Sequence, residues 1–143
     1  PAHLLSGHDG WMAGHGLTHL RELWLEPDGL SLRGEDSLAA LDASAQIRLD
    51  QIRPEEGLAF DLRFHLHPEI EARMQDQQVH LTLPNGEGWL FTHDGVGEAR
   101  LEASCLLDRT LAEPRPSRQI VISARLQGKA IQIGWTLAHS GAR

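Results

Sequence analysis

Tyrosine is absent from this 143-residue chain, and asparagine, lysine and cysteine each occur once, as Asn85, Lys129 and Cys105. Without Tyr the chain can supply no tyrosine acid or base to any reaction. A single cysteine closes no internal disulfide and leaves the redox compartment undetermined. Basic residues are few, 13 Lys and Arg against 20 Asp and Glu, and they form no run. With a formal net charge of −7, the chain lacks the basic footprint that nucleic acid or an anionic membrane surface requires. No apolar run approaches the roughly 20 residues of a membrane-spanning helix. Gly-rich phosphate loops and a GxSxG elbow are missing too, which argues against nucleotide binding and serine hydrolysis. Carboxylates are plentiful but scattered, so spacing picks out no glycosidase pair.

What the chain does have is period-two alternation. In Leu58 to Pro68, LAFDLRFHLHP, the residues Leu58, Phe60, Leu62, Phe64 and Leu66 fall on one face of an extended strand. Asp61, Arg63, His65 and His67 fall on the other. The pattern predicts a strand with Phe60, Leu62 and Phe64 in a core and the charged set turned away from it. Gly16 to Leu25 and Leu30 to Arg33 flank the turn Glu26-Pro27-Asp28-Gly29, a hairpin signal. Val79 to Leu83 and Gly88 to Thr92 flank Leu-Pro-Asn-Gly, and Gln119 to Leu126 and Ala130 to Leu137 flank Gln-Gly-Lys. Leu101 to Leu107 also alternates. Ser37 to Ile47 is the one candidate helix, or else a loop insertion, and Pro114 and Pro116 mark an irregular connection. Many short strands separated by turns predict an all-β antiparallel sandwich, with at most one short helix, as a single domain over residues 1–143.

Several of the nine histidines invite a chemical reading. His65 and His67, two apart on one strand face, have the spacing to hold a metal with a third ligand from a neighbouring strand. With Glu71 they echo the first metal motif of cupins, but Trp89 stands where the second cupin motif needs a histidine, so a metal-dependent cupin ranks last among the readings. His8-Asp9-Gly10 reads first as a turn. His19 and Arg21 share a strand face and could meet an anionic sugar, or form a cross-strand salt link with Glu35 or Asp36. Trp11, Trp24, Trp89 and Trp135 read as core or interface residues before sugar-stacking platforms.

SGHDGW at Ser6 to Trp11, GLTHLRELWLEPDGLSLRGEDSL at Gly16 to Leu38, RFHLHP at Arg63 to Pro68, LPNGEGWLF at Leu83 to Phe91 and RQIVISARL at Arg118 to Leu126 run nearly the length of the chain. In that order they resemble the C-terminal region of heparinase II/III family proteins. The resemblance implies a supersandwich-like β-sandwich that follows an N-terminal α/α toroid, the two together forming a polysaccharide lyase. Such lyases cleave a uronic-acid polysaccharide by β-elimination: a base removes the proton beside the carboxylate, and an acid assists the leaving oxygen. In the family the acid/base tyrosine and the neutralising asparagine come largely from the toroid. A chain without Tyr, whose one Asn sits in a hairpin turn, is therefore expected to carry no catalytic residue of its own. Starting at Pro1, it is expected to be a C-terminal piece of a longer protein that completes the substrate cleft against the toroid.

The same resemblance implies Arg63, His67 and Arg21 as substrate-binding residues. It also implies a divalent ion, zinc or calcium, with His65 as the ligating position and His67 as second choice. Further ligands would come from Asp61, Asp36 or His8, or from outside the chain. The implied partners are a polysaccharide or oligosaccharide and the toroid, with no nucleic acid and no membrane, in the periplasm or cell envelope. A non-catalytic carbohydrate-binding sandwich remains the alternative. "Heparinase" is a family label and does not specify heparin.

Overall fold

A computed structural model describes residues 1–110 and 112–141. The chain opens with β1 (Ala2–Trp11), passes through one helical turn, α1 (Met12–His15), and returns antiparallel as β2 (Leu17–Leu25). Gly16 ends α1 in the left-handed region at φ 69°, and its Cα lies so close to the carbonyl of Ala45 that a Cβ there would collide with it. Only glycine meets both demands. β3 (Ser31–Ala39) closes the predicted first hairpin. In its turn Gly29 takes a positive φ, and the Asp28 carboxylate accepts the Leu30 N–H at 2.9 Å.

The helix forms later than its sequence pattern predicts. Ser37 to Ala39 remain in β3 because they are paired on both sides, with β2 and with the last strand. Two sets of ladder bonds outweigh a weak helix preference. α2 (Ala43–Ile52) starts where Asp42 caps it by accepting the Ala45 N–H at 2.8 Å, and it runs on past Ile47.

The remaining strands are β4 (Leu58–His65), β5 (Glu71–Gln75), β6 (Gln78–Thr82), β7 (Gly88–His93), β8 (Glu98–Leu106), β9 (Arg115–Leu126) and β10 (Ala130–His139). The Asn85–Gly86 turn joins β6 to β7 as predicted, with Gly86 at φ 87°. Pro116 lies inside β9 and not in the irregular connection expected of it. It sits opposite Cys105 of β8, and β4 joins β9 only from Gln119 onward, so the edge of β9 beside Pro116 has no ladder to lose.

Among the described residues these strands build two antiparallel sheets, which confirms the all-β sandwich. One has seven strands in the order β1-β2-β3-β10-β7-β6-β5; the other has three, β4-β9-β8. Leu62 of β4 packs between them with Val79, Phe91, Ile120, Ile122, Ile133 and Trp135, while Phe60 and Phe64 are half-buried against this core. A second cluster, Leu17, Ala40, Ala45, Leu49 and Leu126, seats α2 over one end of the sandwich. The two sheets are unequal, and β1 is exposed along its whole length.

Candidate functional cleft

Cross-strand partners share a sheet face, so the register places His8 beside His19, Ser6 beside Arg21, and Arg21 beside Asp36. The face they share is the inner face of the large sheet. Asp36 is only 5% exposed and accepts three hydrogen bonds. His19 Nε2 and Arg21 Nε donate to Oδ1 at 2.7 and 2.8 Å, and Trp135 Nε1 donates to Oδ2 at 2.8 Å. The Trp135 bond depends on Gly34. Gly34 lies opposite Trp135 in the register, and the indole spreads over the space a Cβ would fill. A buried carboxylate with this many donors is satisfied, and it holds the His19, Arg21 and Trp135 side chains in place.

The Arg21 guanidinium lies 5.2 Å from the centre of the Phe64 ring, so this network touches the aromatic group of Phe64, Phe91 and Trp135. Towards solvent, His19 Nδ1 is 3.2 Å from His8 Nε2, and His8 Nδ1 accepts the Gly10 N–H. That assignment places the His8 proton on Nε2, facing His19, and the His19 proton on Nε2, facing Asp36. Beside this network a cleft of about 440 Å³ runs between the edge of β4 and the inner face of β2, β3 and β10. His19 and Asp36 lie in its floor with Leu38 and Ile131, and Trp11 and His15 form its rim, ring against ring at 5.5 Å. Trp11 is 53% exposed.

Two of the motif stretches singled out in the sequence thus meet at one cleft, Ser6 to Trp11 through Trp11 and Gly16 to Leu38 through His19, Asp36 and Leu38. The family described as heparinase II/III-like, C-terminal, matches residues 2–136. The chain belongs to this family. A curated relative, FtsZ-localized protein C of Caulobacter vibrioides (strain NA1000 / CB15N), is 37% identical over 139 residues, covering 93% of this chain. The match takes in 22% of that relative, so the chain spans about a fifth of its length.

In this heparinase II/III-like domain the residues predicted to bind substrate do not come together. Arg21 faces the interior, bound to Asp36. The predicted salt link with Asp36 is present, and Glu35 instead accepts from Gln132 at 2.6 Å. Arg63 lies on the outer face of the small sheet, where it donates to Asp61 at 3.0 Å and Glu102 at 3.1 Å. Arg100 bonds Glu102 and Ser123, and Ser123 bonds Asp61. Two guanidinium groups and two carboxylates close this face on themselves and bury Val121 beneath them. The hydrogen bonds from Arg63 and then Arg100 hold the Glu102 carboxyl below the usual carboxylate range, and the bond to Glu102 raises the Arg63 guanidinium in turn. His65 Nδ1 pairs with Ser104 Oγ at 2.8 Å, and His67, past the end of β4, accepts the Glu69 N–H through Nδ1. Among the described residues no group of three or more His, Cys, Asp or Glu, around His65 or elsewhere, is placed to hold a metal.

The sequence reading missed the part played by Trp135 and Gly34. Trp135 reads as one more apolar residue in the Ile131–Leu137 alternation, and its indole N–H, which needs an acceptor once buried, was the available signal.

Proposed function

We propose that this domain is the non-catalytic β-sandwich of a heparinase II/III-type polysaccharide lyase, forming one wall of the substrate cleft against an N-terminal α/α toroid. The observation that carries this reading is the cleft mouth. There an exposed Trp11 stands beside His15, and His19 is anchored behind them by Asp36. An indole face stacks on a sugar ring, and imidazole N–H groups donate to hydroxyl or carboxylate oxygens. The β-elimination itself, loss of the proton beside the uronate carboxylate with rupture of the C–O bond to the leaving sugar, falls to residues outside this chain. The test is incubation of the native-length protein with heparin, heparan sulfate and alginate, following the absorbance of unsaturated uronides. Turnover of at least one, weakened by Trp11→Ala, supports the reading; absence of turnover and of binding to all of them overturns it.

A second reading takes its support from the relative's name. The domain would then be a non-catalytic binding module in a protein that, like that relative, is localized with FtsZ. Co-sedimentation with FtsZ polymers in the absence of lyase turnover would favour it.

A further inference from the structure

The cleft contains an unused strand edge. β4 is an outer strand of the small sheet, paired only with β9, and among the described residues no other hydrogen bond reaches its main chain. Residues Leu58 to Arg63 line the cleft in unbroken succession, inward- and outward-pointing side chains alike. Alternating side chains line one cavity together only where that cavity runs along the edge of the strand, against its free N–H and C=O groups. The cleft also continues the seam between the sheets: Leu62 and Ile133 of the main core, and Leu17 and Leu58 from the cluster under α2, line it as well. The seven-stranded sheet reaches past β10 through β3 and β2 to β1, and on this side the small sheet stops at β4.

We infer that the cleft is a strand slot: an extended segment of the same longer polypeptide, outside these 143 residues, adds to the free edge of β4 as a fourth strand of the small sheet. Its inward side chains are apolar at alternate positions, to cover Leu38 and Ile131. Its main chain satisfies the open edge of β4, the mode of recognition in which hydrogen bonds to backbone supply affinity and alternate pockets supply selectivity. A uronic-acid chain in the same place would set carboxylates against apolar side chains and leave the strand edge poorly matched. In the relative the region similar to this domain takes up 22% of the length, and the rest is covalently attached chain that can supply such a segment. The added strand recognises main chain and apolar side chains and calls on no sugar, so the inference does not rest on the lyase reading.

Backbone hydrogen exchange at β4, measured on the 143-residue chain and on the native-length protein, tests the slot. Those β4 amides that do not face β9 should exchange slower in the native-length protein, by on the order of tenfold or more; equal rates would overturn the inference. Leu38, half-buried in the cleft floor, gives the second measurement. Leu38→Glu should lower the thermal midpoint of the native-length protein more than that of the 143-residue chain, and equal shifts would count against a covering strand. Sedimentation of the 143-residue chain decides the source. A monomer with unprotected β4 is expected, whereas a dimer with protected β4 would transfer the slot to a second copy and overturn the assignment.

Discussion

At the scale of single residues, Asp36 organises the interior more than any other polar group. Its carboxylate holds a histidine and an arginine from β2 and a tryptophan from β10, the two strands that flank its own. Removing one partner from a buried, charge-assisted network leaves the others unpaired, a loss on the order of 3–5 kcal/mol. Asp36→Ala should therefore destabilise by about that much in urea denaturation, and Asp36→Asn, which retains an acceptor oxygen, by clearly less. Gly34 gives a sharper test because nothing about it is polar. Gly34→Ala should displace the Trp135 indole and cost about 1–3 kcal/mol as overpacking, with a change in tryptophan fluorescence. If the cost arises from that collision, Gly34→Ala and Trp135→Phe will be non-additive in a double-mutant cycle.

At the scale of elements, β4 carries two unlike faces, and each makes its own prediction. On the inner face Phe64 contacts Phe91 and Trp135 with ring centroids 5.0 Å apart in both cases. Phe64→Ala should cost about 3 kcal/mol, the lower end for such a truncation, because the ring is only half-buried. On the outer face, Glu102 has a folded-state pKa below its ordinary value, set first by the hydrogen bond from Arg63. A depressed carboxylate contributes stability that is fully present above its unfolded pKa, about 4.3, and that disappears as pH falls through its lower folded value. The urea midpoint of the native chain should thus fall more steeply on acidification below about pH 4.3 than that of Glu102→Gln. NMR titration should place the Glu102 inflection below those of exposed glutamates. The alternation from Leu58 was enough to predict both faces of this strand as far as His65, where β4 ends two residues short of His67. What the outer face does was hidden, because Glu102, Arg100 and Ser123 belong to strands far away in sequence, and only their pairing with β4 shows that Arg63 is committed to protein carboxylates.

At the scale of the whole molecule, the sandwich is asymmetric, and the proposed reading assigns the elimination to residues outside it. The chain offers no tyrosine, and its one asparagine is occupied in the β6–β7 turn, where Asn85 Oδ1 accepts the Glu87 N–H at 3.0 Å. The 143-residue chain, incubated alone with heparin, heparan sulfate or alginate, should release no unsaturated uronide. A reproducible rise in absorbance above blank would show that the cleft contains its own base and acid. With a formal charge of −7, the isolated chain is also expected to bind such polyanions weakly, and raising ionic strength should not weaken that binding steeply, as it does for basic surfaces.

The sequence by itself determined most of the strands, the turns that join them, and the family. Each of these follows from short-range pattern: period-two alternation, Asp28-Gly29 and Asn85-Gly86 at turns, and motifs read in order along the chain. It also determined what the chain lacks, since an absent side chain is absent in any fold. It did not show β5, or β1, where His8-Asp9-Gly10 reads as a turn but lies within the strand. Only the tertiary structure decided where Ser37 to Ala39 belong, because their two neighbouring ladders come from β2 and β10 and outweigh local helix preference. Likewise it decided that Arg21 and Arg63 lie on opposite sides of the sandwich, and that His8, His19, Asp36 and Trp135 meet in one network. Those assignments depend on register between strands up to a hundred residues apart, and a shift of one residue would send each of these side chains to the other face.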